Sequence, residues 1–510
     1  MSKFSKNLFL ISGFIFLAEL ASIFGYLLPD FRQIAFFVIA GLVLILSLVD
    51  LKYGLYFVLA ELFIGSKGYL FYYEHAGLLF SIRIALWLIV MAVWLGGVIF
   101  CRREKSQFID KGDRGTKFPI GNLVPYKNSD YFKYFSVLFL FILWGFVNSF
   151  LNHNGFADTF FDFNGWLYFA LIFPIYSVFK SKENQEMLWQ IFLASILWLA
   201  LKTFFLLFVF SHNMIGMVYE LYGWVRTTGV GEITRMQGGF HRIFFQSHIF
   251  ILTSFFIFLM LLTSLILKDK KESNKKFLTS YFLILTLLLF VIIITFSRSF
   301  WVGLVFGLLV YWFVSLLVLK IGWKNFFKVN GLWLASLIIS VGLIAAVVKF
   351  PYPNPLGGFS TADLLSKRLS QQDEAAISSR WALLPQLWQE IKSAPVLGRG
   401  FGATVTYKTQ DPRALELNPG GKYTTYAFEW GWLDIWLKLG FFGLLAYLAL
   451  IFKLMINGLQ SRNNFAIGLA LGLLAISATS FFSPYLNHPL GIGYLMVMAA
   501  IFDNKNGVLH

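Results

Sequence analysis

Five arginines stand beside apolar stretches of the chain, at Arg226, Arg235, Arg242, Arg298 and Arg380. Arginine is always charged, and its planar fork grips phosphate or carboxylate at two points, which a lysine point charge does not do. Such residues gathered on one face of a molecule would hold an anion. Two carboxylates, Glu429 and Asp434, flank the start of a tryptophan-rich apolar run, where either could take a proton from a sugar hydroxyl. His241 and His248 are seven residues apart and fit one side of a helix, and with no third ligand beside them they predict hydrogen bonding rather than a metal pair. Tyr426 completes the group as a substrate-binding candidate. No phosphate-binding loop, HExxH, GxSxG or carboxylate cluster of metal-site type occurs, so neither a cofactor nor a metal is expected. Gly398-Arg399-Gly400-Phe401-Gly402 imitates a nucleotide loop, but no strand precedes it.

Composition says where these residues work. The chain has 510 residues, 58% hydrophobic, 19% aromatic and 13% charged, and its mean hydropathy is +0.70. These values predict an all-α polytopic membrane protein. The formal charge of +16 is spread over short loops and forms no stripe, which argues against nucleic acid and for membrane orientation. A single cysteine, Cys101, excludes an internal disulfide or a cysteine-based metal site.

Crossing the hydrocarbon takes roughly 20 mostly apolar residues. That criterion gives about 14 spans, at 8–28, 34–50, 53–66, 82–101, 133–151, 164–179, 187–210, 243–267, 278–296, 299–319, 332–349, 428–456, 465–483 and 489–502. The first is expected to be an uncleaved span, because no small-residue cleavage pattern follows it. With Met1 inside, the inner segments collect Arg102, Arg103, Lys105, Lys111, Arg114, Lys117, Lys180, Lys182, Lys268, Lys270, Lys271, Lys275, Lys276, Lys320, Lys324 and Lys328. The lysine pattern stays in phase along the chain, so both termini are expected in the cytoplasm.

The expected organisation is therefore spans 1–11 over residues 1–349, an outer insertion at 350–427, and spans 12–14 over 428–510. The first part includes a polar cytoplasmic linker at 102–131 and an outer loop at 211–242. Within the insertion, Trp381, Leu384, Trp388 and Ile391 share a helical face, with Ser379 as its cap and Arg380 in the first turn. The two tryptophans suit a helix lying on the membrane, and the glycine run that follows suits a turn completing a lid. Glu19, Glu61 and Lys202 fall inside apolar spans, where a buried pairing or a proton path is open to them and a structural role is the default.

The combination is an outward cavity rimmed by arginines, suited to an amphiphile with an anionic head and a lipid tail. Ser379-Arg380-Trp381, Pro395 to Gly402, Glu429-Trp430-Gly431 and Leu437-Lys438-Leu439-Gly440-Phe441-Phe442-Gly443 resemble the outer loop and following span of the O-antigen ligase and polymerase superfamily. The turn Phe296-Ser297-Arg298-Ser299 is similar to that family's Ser-Arg turn, and the resemblance covers about residues 220 to 500.

It implies a helical enzyme of the bacterial inner membrane that takes glycan from undecaprenyl diphosphate on the outer face. Ligases pass the glycan to lipid A core, and polymerases pass it to another lipid-linked repeat. By position, Arg242, Arg298 and Arg380 match the arginines that hold the diphosphate. Other polysaccharide-assembly proteins would be its partners. The chain departs from the ligase pattern of a His-Asn pair before the last long span, reading Lys422 to Glu429 without histidine, and no histidine occurs between His248 and His488. A polymerase, with Glu429 in the acid/base role, is the better expectation. A transporter or flippase of the same lipid is the alternative of another class, and it would require pseudo-symmetric halves that the chain lacks.

Overall fold

In the computed structural model, the described residues are 3–75, 77–108, 129–236, 239–267, 273–353, 375–410, 412–461 and 463–503. They form an all-α polytopic membrane bundle. Ten helices are long and apolar enough to cross a bilayer, and two shorter ones, Asn464–Thr479 and Pro489–Phe502, are apolar as well. The remaining expected spans appear as a 14-residue helix, Leu51–Ile64, and as a 3-10 turn, Trp166–Leu171, running into Ile172–Val178. Most of the linker expected at 102–131, and residues 354–374 of the outer insertion, lie outside the described residues.

Burial ranks the helices. Lys3–Leu27 (α1) and Pro29–Val49 (α2) expose most of their apolar windows, which are only 22% and 17% buried. His248–Leu267 is 78% buried and is therefore the centre of the bundle. It packs closely on Asn464–Thr479, where Gly468 lets the backbone of Ile257 approach. Two ion pairs lie inside the bundle, each charge matched as the cost of burying it demands. Lys202 bonds Glu19 at 2.5 Å, and Arg83 grips Glu61 through two bonds of 2.8 and 3.0 Å.

The outer insertion differs from expectation in three ways. Its helix runs Ala375–Ser393, so Ser379 is no cap and Arg380 is not in the first turn; Ser379 Oγ instead meets the Tyr407 hydroxyl at 2.9 Å. The inward face is Leu383, Leu387 and Ile391, packed on Val405, Phe428 and Leu437. Trp381 and Trp388 stay exposed at 58% and 38% and meet Trp430 and Trp436 edge-on. Indole bulk does not fit the narrow seam that leucines fill.

The glycine run is also no lid. It is driven into the bundle, where it repairs a broken helix. Gly431–Leu459 is interrupted at Gly440, which has φ 73°. The break orphans the carbonyls of Leu437 and Lys438, and these accept from Arg399 N–H at 2.6 Å and Gly400 N–H at 3.2 Å. Phe441 N–H donates in exchange to Pro395 O at 3.0 Å. Gly400, at φ 80°, lies so close to the backbone of Ser149 that a Cβ would strike it.

Candidate functional site

Two short strands, Gly231–Arg235 (β1) and His241–Phe245 (β2), pair antiparallel, with Thr234 opposite Arg242 and Arg235 opposite His241. Side chains alternate along a strand, so Arg242 and Phe244 share one face and His241 and Arg235 the other. On the first face, Arg242 Nε donates to Thr295 O at 2.6 Å, and its guanidinium lies 5.0 Å from the centre of the Phe244 ring. Phe244 in turn packs on Phe300 at 5.6 Å. The hairpin thus presses Arg242 onto the turn that carries Arg298, the first residue of helix Arg298–Phe313. Hydroxyls hold that turn in place, with Ser299 Oγ 3.0 Å from both Ser297 Oγ and Ser483 Oγ.

Arg380 arrives from the outer insertion. Its backbone carbonyl accepts from Trp430 Nε1 at 3.0 Å, and its Nε donates to the Glu429 carboxylate. Burial pulls the Arg380 pKa below its usual value, and the positive charges of Arg242 and Arg298 pull it further. Those three guanidiniums therefore share one electrostatic neighbourhood. Glu429 offsets Arg380, and Glu232 acts on Arg242. Burial raises the Tyr485 pKa, and the positive charge of Arg242 opposes the rise.

Beneath this cluster sits an ion network. Lys438 Nζ bridges Asp162 at 2.6 Å and Asp434 at 2.5 Å, and all three side chains are at most 8% exposed. The other Asp162 oxygen accepts from Gly402 N–H at 2.8 Å, and Asn487 donates to both Asp434 and Gly431 O. One ammonium thereby fixes the helix Phe156–Asn164, the glycine run and the start of Gly431–Leu459 relative to one another.

Sequence-predicted residues separate accordingly. Arg242, Arg298, Arg380 and Glu429 come together. Asp434 is taken up by Lys438, so its carboxylate is not presented to a substrate. His248 is fully buried, bonded to Thr203 at 3.0 Å and to Phe245 N–H at 3.2 Å, because its position opens the central helix rather than the cavity. Arg226, Arg235 and His241 line a separate groove beside the hairpin. Tyr426 is half-buried near Asp162, and burial followed by that carboxylate raises its pKa.

Sequence reasoning missed Lys67 and His488. The His488 side chain is exposed and lies within the electrostatic reach of Lys438, Lys67 and Arg83. Desolvation, then Lys438 and Lys67, lowers its pKa to about 4. His241 is likewise lowered to about 4 by burial and Arg235. Both folded values lie below the ordinary one, near 6.5. The unfolded chain therefore takes up these protons first on acidification, so stability present above about pH 6.5 is lost as the pH falls toward 4. The melting temperature of the purified protein should drop across this window, and His488→Gln should flatten the drop. An unchanged slope would show that His488 takes up its proton as readily in the fold as in the unfolded chain.

No curated protein and no solved structure matches the chain. Residues 282–448 match the family model described as O-Antigen ligase, a stretch that contains Arg298, Arg380, Glu429 and Lys438. Over that stretch the chain is similar to the O-antigen ligase family.

Proposed function

We propose that the protein is a metal-independent glycan polymerase of a bacterial inner membrane, drawing on an undecaprenyl-diphosphate-linked oligosaccharide at the outer face. Both termini are then cytoplasmic and the 350–427 insertion lies outside. The observation that carries the reading is the grouping of Arg242, Arg298 and Arg380 in one electrostatic neighbourhood. Arginine forks suit a diphosphate, whose charge grows as it leaves, and preorganised donors act most strongly on charge that develops in the transition state.

The acceptor hydroxyl attacks the anomeric carbon of the donor, and the bond from that carbon to the phosphate oxygen breaks. The electron pair leaves with the polyprenyl diphosphate, and the hydroxyl proton passes to Glu429. Before substrate arrives Glu429 is tied to Arg380. A diphosphate on Arg380 competes for that bond and releases a half-exposed carboxylate beside the reacting groups. The guanidiniums take the place a divalent cation would have in charge neutralisation.

Transfer to lipid A core is the second reading, favoured by the description of the family model. The loop before Glu429 lacks histidine, which favours the polymerase. Purified protein given a polyprenyl-diphosphate-linked oligosaccharide in EDTA should release polyprenyl diphosphate and build glycan of several repeats. Turnover lost in EDTA and restored by a divalent ion contradicts the metal-free chemistry, and a strict requirement for lipid A core contradicts the polymerase.

A further inference from the structure

A groove of about 700 Å³ runs along the β1 strand of the hairpin, between it and the helix Met217–Thr227. Its walls carry Tyr219 and Tyr222, exposed at 78% and 43%, together with Arg226, Glu232, Arg235 and His241. The pairing of Arg226 with Glu232 is loose, at 4.0 Å. His241 packs its ring 5.5 Å from Phe210, and among the described residues its buried Nδ1 has no hydrogen-bond partner. The groove therefore joins flat aromatic faces to forked donors and an acceptor carboxylate. A lipid tail would leave those polar groups unpaired in hydrocarbon, at a cost. A sugar ring satisfies both kinds of surface, setting its C–H face on tyrosine and its hydroxyls on the charged groups. Two guanidiniums against one carboxylate add a preference for acidic sugars.

The groove also has a defined relation to the arginine cluster. His241 and Arg242 are consecutive residues of one strand and point to opposite faces. A chain whose diphosphate end lies at Arg242 can cross the hairpin edge and continue into the groove. The geometry points to a glycan-holding subsite, in which the groove binds several sugar residues of the chain being built and favours those with carboxylate groups. This rests on the transferase reading, and its test does not require turnover.

The probe is oligosaccharide released by mild acid from the cell's own polyprenyl-linked intermediates, titrated by calorimetry into the full-length protein in lipid nanodiscs. Wild type should bind it. Tyr219→Ala with Tyr222→Ala should weaken binding about tenfold, and Arg235→Gln should weaken it independently. Tyr219→Phe with Tyr222→Phe should retain it, which separates lost stacking from lost folding. Arg380→Gln should leave it intact, because this probe carries no diphosphate. No binding by wild type, equal binding by all variants, or loss only in Arg380→Gln each overturns the subsite. Catalytic failure of Arg380→Gln with binding retained bears on the transferase reading alone.

Discussion

Arg380→Lys should lower the rate of glycan transfer by about 10²–10³ while the protein keeps its melting temperature and its yield. The substitution preserves charge and most of the side-chain length, so any loss reports the fork itself. Arg380 is the member of the cluster that comes from the outer insertion, held by Trp430 at its carbonyl and by Glu429 at its guanidinium. It is also the group most exposed to the repulsion of Arg242 and Arg298. A point charge at this position cannot bond two phosphate oxygens in one plane, and so it relieves less of the charge that builds on the leaving group. The readout is single-turnover release of polyprenyl diphosphate. A variant with unchanged rate removes Arg380 from the mechanism.

Lys438→Met should destabilise the fold by about 3–5 kcal/mol, measured as thermal unfolding in detergent or nanodiscs. Lys438 is 2% exposed, and its removal strands two carboxylates that are 8% and 4% exposed. Breaking a buried network by deleting one partner costs far more than replacing the whole network with neutral groups. The triple change Lys438→Met, Asp162→Asn, Asp434→Asn should therefore recover much of the loss, since Asn at 162 still offers an oxygen to Gly402 N–H. A single variant as stable as wild type would show that the network contributes nothing. The distinction matters for function, because Asp434 is a structural carboxylate in this account and Glu429 the chemical one.

The membrane bundle was legible because hydrophobic length is a local property, readable wherever apolar residues run on without charge. Arg242, Arg298, Arg380 and Glu429 were legible as residue types beside apolar runs. Their grouping in space depends on a hairpin register and an insertion helix that no window of sequence reveals. Lys438 and Asp162 are 276 positions apart, and neither sits in a motif that names the other. His488 was passed over because it precedes Pro489 at the start of a short helix, where it resembles an ordinary end residue. The leucine stripe of the insertion helix was less legible, because tryptophan dominates its periodicity while Leu383, Leu387 and Ile391 face the protein. The glycine run was misread for a related reason. Its partners are carbonyls freed by a helix break at Gly440, and an apolar run does not announce its breaks.

The most direct test of the account is a cryo-electron microscopy structure of the protein in nanodiscs with a polyprenyl diphosphate bound. The account predicts diphosphate density within hydrogen-bonding distance of Arg242, Arg298 and Arg380 together, with Glu429 released from Arg380. Diphosphate seated elsewhere, or touching only one of these arginines while Glu429 stays bound to Arg380, would contradict it.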